Sequence, residues 1–121
     1  MCERYPPLPG MCDVPVGVGS DVVCDRCMKT VATSPNSALR AGELDQTALA
    51  YATKTAGVWS LRRLNCMDCG HIDGPYGADA VVAVVRFRYD ASEGQHRIAT
   101  ARRAPGYEHH GTRRDLRREE L

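Results

Sequence analysis

Large apolar side chains are scarce in this sequence. Valine, leucine, isoleucine and phenylalanine together make up 22 of its 121 residues, with one Phe and one Trp. At about 18%, this lies below the roughly 20% at which a self-sufficient core becomes doubtful. Much of the 43% hydrophobic fraction is alanine and cysteine, and alanine buries little surface. A chain of this kind needs a staple, either disulfides or a metal. Long apolar runs are missing too. The longest, Ala80 to Val85, has six residues, against the ~20 of a membrane span, so no membrane partner is expected. Charge of one sign is also lacking, with 16 Lys+Arg against 15 Asp+Glu and a net +1. That removes the electrostatic case for wholesale nucleic-acid binding.

Catalytic signatures are absent as well. There is no phosphate-cradling glycine loop, no G-x-S-x-G and no H-E-x-x-H, so no enzyme is expected. The opening Met-Cys-Glu-Arg-Tyr-Pro-Pro has no apolar h-region, and with no secretory signal in view the expected compartment is the cytoplasm. In that reducing setting, clustered cysteines more often bind metal than pair as disulfides.

The length suits one domain. Residues 1–21 hold Pro6, Pro7, Pro9 and Pro15 among Gly10, Gly17 and Gly19. They read as a flexible leader that can form neither a helix nor a central strand. Residues 104–121 read as a charged, disordered tail, with at most a frayed helix from Thr112. The ordered domain is expected over 22–103, and a fragment near Asp21–Arg103 should then survive alone. Within it, Thr47–Thr55 alternates Leu49, Tyr51 and Thr53 with small residues. Gly57 follows, and then Val58-Trp59-Ser60-Leu61, which predicts a hairpin. Ala80–Tyr89 is the clearest strand, with Val81, Ala83, Val85, Phe87 and Tyr89 on one face. Asp90–Gly94 reads as a turn, and Gln95–Arg103 as the returning strand. Two hairpins in sequence make a small, mostly-β domain.

Six cysteines are present. Cys24-Asp-Arg-Cys27 and Cys66-Met-Asp-Cys69 form two C-x2-C pairs with 38 residues between them. Two intervening residues let the chain turn as a knuckle that aims both sulfurs at one ion. Two knuckles complete a tetrahedral thiolate shell, with Zn–S near ~2.3 Å. The spacing predicts one structural zinc ion (Zn2+) held by Cys24, Cys27, Cys66 and Cys69. Gly70, directly after the second knuckle, suits the positive φ with which such a turn continues; Met28 stands in its place after the first. Rival readings are disulfides, a thioredoxin-like redox pair, and an iron–sulfur cluster on the same four ligands.

Cys2 and Cys12 sit in the leader as incidental thiols; a second site with His109 and His110 can be drawn but has little support. His71 is expected beside the metal without binding it, and His96 as a satisfied structural histidine. Trp59 is expected in the core near the metal, with a base-stacking role beside Arg62 and Arg63 as the lesser reading. Arg86 and Arg88, alternating with Phe87 and Tyr89, are expected on a solvated strand end.

The order of these motifs resembles a known group. Cys24-x-x-Cys27, a hairpin ending Val58-Trp59-Ser60-Leu61-Arg62-Arg63-Leu64-Asn65-Cys66-x-x-Cys69, then Gly77-Ala78-Asp79-Ala80 with its Val-rich strand, and Gln95-His96-Arg97 are similar to small uncharacterised zinc-ribbon proteins. These carry a domain of unknown function and are described mostly from halophilic archaea. The resemblance covers about Val22–Arg103. It implies a zinc ribbon extended by a second β-hairpin, with the metal on the same four cysteines, and it implies no activity or partner. The functional expectation is a non-catalytic zinc module that contacts a protein or nucleic acid. The alternatives are a thiol redox protein using one C-x2-C pair, or a homodimer through strand edges, for which Ala80–Tyr89 is the candidate.

Overall fold

The structure, a computed structural model, describes residues 7–16, 21–35, 44–74, 77–105 and 107. Cys2, His109, His110, most of the loop that follows Ser34 and the charged stretch from 108 onward lie outside these residues, as does the helix expected from Thr112. The described residues form a mostly-β fold of six strands in two antiparallel sheets. The small sheet pairs β1 (Val22–Val23) with β2 (Thr30–Ala32). The large one contains β3 (Thr47–Thr55), β4 (Val58–Cys66), β5 (Ala80–Asp90) and β6 (Gln95–Arg103), in the spatial order β4-β3-β5-β6. Among the described residues the one helical element is a 3-10 turn at Pro9–Met11, and no helix is long and apolar enough to cross a membrane.

Both expected hairpins form. The β3–β4 turn is the pair Ala56-Gly57, with φ of 53° and 81°. Positive φ at both central residues matches the right-handed twist of the flanking strands, and glycine supplies the second at little cost. The β5–β6 turn is organised by Asp90. One carboxylate oxygen accepts the Ser92 N–H (3.1 Å) and hydroxyl (2.7 Å), and the other accepts Arg97 Nε–H at 2.9 Å. The Ser92 hydroxyl, and then Arg97, hold the Asp90 carboxyl down at about 2. The two hairpins join through β3 and β5, whose register sets Ala50 opposite Ala83 and Tyr51 opposite Val82.

The alternation along β3 explains how so few large residues suffice. Ala48, Ala50 and Ala52 are fully buried and face the same side as Val81, Ala83, Val85 and Phe87. A face of alanines lets another layer approach closely, and Val22, Val31 and Ala32 of the small sheet occupy it. Leu49 and Val82 face the other side, where Ile72, Ala104 and Tyr107 cover them. Both faces at the sheet's centre are thus buried, and eight of the buried apolar residues are alanines.

Three expectations need correction. The first is the flexible leader. Pro7–Val16 runs along the outer edge of β6, with bridges Pro7 to Arg102 and Pro15 to Arg97. Leu8 N–H donates to Ala101 O (2.8 Å), Asp13 N–H to Ile98 O (2.8 Å) and Val16 N–H to His96 O (3.0 Å). Met11 is fully buried and Val14 nearly so. Prolines preclude a central strand, but an outermost strand tolerates them because one side needs no donor. The second is the C-terminal boundary: Ala104 N–H donates to Val82 O at 2.9 Å, and Tyr107 is buried. The third concerns Ala80–Tyr89, which lies inside the sheet between β3 and β6 and offers no free edge. The outer strands are β4 and β6, and the Pro7–Val16 segment lines the latter.

Met11 therefore contributes to the core although it lies among prolines. Met11→Ala is expected to lower unfolding stability by about 2–5 kcal/mol, the range for deleting a buried methionine side chain. Chemical denaturation measures it, and a change under 1 kcal/mol contradicts the docked leader.

Candidate metal centre

Strand β4 delivers the second knuckle. Arg62 is an extra residue in its pairing with β3, since Tyr51 opposes Arg63 and Ala52 opposes Leu61. Such a bulge sharpens the local twist. Beyond it Leu64, Asn65 and Cys66 are all buried. The first knuckle, between β1 and β2, is tied to the same stretch by Asp25. Its N–H donates to Leu64 O (2.7 Å) and its carboxylate accepts the Leu64 N–H (2.9 Å). Strand pairing thereby carries two cysteine pairs far apart in sequence to one point.

The knuckles have matching backbones. Met28 N–H donates to Cys24 O at 3.0 Å, and Gly70 N–H to Cys66 O at 2.9 Å. Met28 and Gly70 take φ of 68° and 67°. Met28 thus adopts the left-handed conformation expected only for Gly70, although it carries a Cβ and is 70% exposed. In each knuckle an N–H reaches back to the first sulfur: Arg26 (3.3 Å) and Cys27 (3.4 Å) to Cys24 Sγ, and Cys69 (3.3 Å) to Cys66 Sγ.

All four sulfurs lie within 4.8 Å of one another. Cys24 Sγ is 3.7 Å from Cys69 Sγ, and Cys27 Sγ is 3.8 Å from Cys66 Sγ. A regular tetrahedron with metal–sulfur bonds of ~2.3 Å has edges of about 3.8 Å, so the donor set fits a single four-coordinate ion. The spacing far exceeds the ~2.05 Å of a disulfide, and these cysteines are free. Sulfurs this close leave room between them for one ion and none for a multi-iron cluster. A redox pair of the thioredoxin kind sits where a strand enters a helix; here both pairs sit on turns beside strands.

Electrostatics suit a cation. Burial pushes the Cys24 thiol up, but backbone N–H groups of Cys27, Cys66 and Arg26 outweigh it and bring the thiol down to about 6. Cys69 is pushed up to about 12 by hydrogen bonding with the sulfurs of Cys66 and Cys27, with burial adding to it. An ion that takes Cys69 as ligand must displace that proton, so affinity falls as pH falls. Lys29 Nζ, held 2.7 Å from Asp68 on the other knuckle, is kept charged by Asp68 and by the Cys66 and Cys27 sulfurs. It lies where a four-thiolate shell around a divalent ion leaves a net −2.

The other candidate residues lie apart from this group. Cys12 is exposed, with its thiol 3.4 Å from Ala99 O. His71 Nδ1 pairs with Tyr107 Oη at 2.9 Å and its Nε2 with Asp73 at 3.2 Å, so it neighbours the metal position without joining it. His96 is buried between Phe87 and Tyr89 with Nδ1 unpartnered, which departs from the satisfied histidine expected, and burial lowers its pKa. Trp59 packs half-buried at the turn end of β4, beneath Lys54 and beside Gly10. Six strand residues lie between it and Cys66, a span of roughly 20 Å at ~3.3 Å per residue, so it does not sit beside the four-cysteine group.

Three supporting residues were not singled out from sequence. Asp25 links the first knuckle to β4, Asn65 Nδ2 donates to His71 O at 3.0 Å and steadies the exit from the second, and Lys29 bridges to Asp68. An Asp and an Asn beside the ligand cysteines were visible in the sequence, but their partners come from distant strands. No known protein family, curated protein or solved structure matches the chain.

The matched turns predict opposite effects of two substitutions. Gly70→Ala places a Cβ at φ 67°, 3.7 Å from Met67 O, and should cost about 1 kcal/mol through backbone strain alone. Met28→Gly relieves the same strain at the cost of chain entropy, and should leave stability unchanged or raise it by up to about 1 kcal/mol. Metal-loaded thermal melts measure both. Destabilisation by Met28→Gly comparable to that of Gly70→Ala contradicts the equivalence.

Proposed function

We propose that the chain is a zinc-ribbon module in which Cys24, Cys27, Cys66 and Cys69 hold one structural zinc ion, and that it acts by contact with another macromolecule. The carrying observation is the sulfur tetrahedron, whose 3.7 and 3.8 Å edges match a four-thiolate zinc shell. Tetrahedral thiolate ligation favours zinc among common divalent ions. Four protein ligands leave no open position for water, which is why the role is binding and not hydrolysis. The reducing cytoplasm is the compartment that keeps such a set reduced.

Of the two partner classes, protein contact is the better supported. Lys29, Arg88 and Arg97 are each engaged in an ion pair, with Asp68, Asp13 and Asp90 respectively. With these three paired and a net charge of only +1, the chain has little excess positive charge to offer a phosphate backbone.

Elemental analysis of the purified chain should find about one zinc per molecule. Cys12→Ser should keep that stoichiometry. Cys69→Ser should lose the zinc and lower the thermal midpoint by more than about 10 °C, which at ~4–8 °C per kcal/mol is a loss of at least about 1–2 kcal/mol. A Cys69→Ser chain that melts like its parent, or a parent without metal, contradicts the proposal.

A further inference from the structure

We propose that Cys27 is an oxidation site, and that peroxide converts the Cys27–Cys66 sulfur pair into a disulfide spanning the two knuckles, with release of the ion. This inference rests on the zinc centre proposed above. The four sulfurs differ in access. Cys24 and Cys66 are buried, Cys69 is partly buried and Cys27 is exposed. A metal-bound sulfur is already a thiolate, so among four equivalent ligands exposure decides which one an oxidant meets first.

The partner for the second step follows from the contacts. Cys24 shares a knuckle with Cys27, but its sulfur faces Cys69 Sγ at 3.7 Å and accepts two N–H groups, of Arg26 and Cys27, where Cys66 Sγ accepts one, of Cys69. Cys27 Sγ faces Cys66 Sγ across the knuckles at 3.8 Å. Closing that gap to a bond of ~2.05 Å takes a movement of roughly 1.8 Å. The knuckles are already joined along the same interface by Lys29 to Asp68 and by the two Asp25–Leu64 hydrogen bonds. These ties keep Cys27 and Cys66 together while the ion leaves.

The chemistry balances with hydrogen peroxide as oxidant. The Cys27 thiolate attacks one peroxide oxygen, the O–O bond breaks, and hydroxide leaves a sulfenic acid on Cys27. The Cys66 thiolate then attacks that sulfur, the S–S bond forms, and the S–O bond breaks with loss of a second hydroxide. Two protons from solvent turn both hydroxides into water. The sulfurs lose two electrons and the peroxide gains them. Zinc, left with two of its four ligands, dissociates. A thiol reductant reverses the disulfide and restores the site.

The test uses the full-length, zinc-loaded chain carrying Cys2→Ser and Cys12→Ser, so that the remaining thiols are the four ligands. Hydrogen peroxide is added, zinc is followed with a chromogenic chelator, and disulfides are mapped on unreduced peptides by mass spectrometry. The expected result is release of about one zinc per chain with matching formation of a Cys27–Cys66 crosslink, reversed by dithiothreitol and added zinc. Limiting iodoacetamide should alkylate Cys27 before the other three. Release with Cys24–Cys27 or Cys66–Cys69 disulfides overturns the inference. So does retention of zinc while the exposed Met28 and Met67 are converted to sulfoxides. A chain with no zinc before peroxide is added overturns the zinc centre itself, and this inference with it.

Discussion

Four thiolates must meet at one point, and the rest of the fold is arranged to bring them there. Each knuckle can form locally, but 38 residues separate the two, and closing a loop of that length costs entropy that the metal alone would have to offset. The sheet shares that cost. Pairing of β3 with β4 fixes where Cys66 emerges, and the Arg62 bulge helps turn the end of β4 toward the small sheet. The Asp25–Leu64 hydrogen bonds then dock the first knuckle on the second. The core sets the sulfur spacing, and an ion bound by the four cysteines would in turn tie the two turns together.

The same arrangement explains the composition. Alanine at positions 48, 50 and 52 gives β3 a flat face, so the small sheet and Met11 lie against it without bulky residues. Strand β5 is covered on both faces near its start, by this layer and by Ile72 and Tyr107. A small number of large side chains is enough because Ile72, Ile98, Val31, Val81, Val82 and Val85 are all fully buried.

Much of this was legible in the sequence, for physical reasons that also mark where legibility ends. The C-x2-C pairs, the Ala56-Gly57 turn and the alternating pattern of Ala80–Tyr89 are local signals, and local signals determine knuckles, hairpins and strands. Which strand neighbours which is not local. Ala80–Tyr89 could be read as an edge because its partners, β3 and β6, are chosen by the packing of whole faces. In the leader, prolines and glycines mask the spacing of Leu8, Met11, Val14 and Val16, the residues that pack toward the core. Prolines exclude regular structure, not docking against an edge. Met28 looked like a poor match to Gly70, yet the knuckle imposes the same φ on both.

Everything proposed for this chain rests on four sulfurs surrounding one zinc ion as a closed tetrahedron. X-ray absorption at the zinc edge of the purified chain tests it most directly. A zinc ion held by all four cysteines gives a single shell of four sulfur scatterers near ~2.3 Å. A shell containing nitrogen or oxygen ligands, or fewer than four sulfurs, would contradict it.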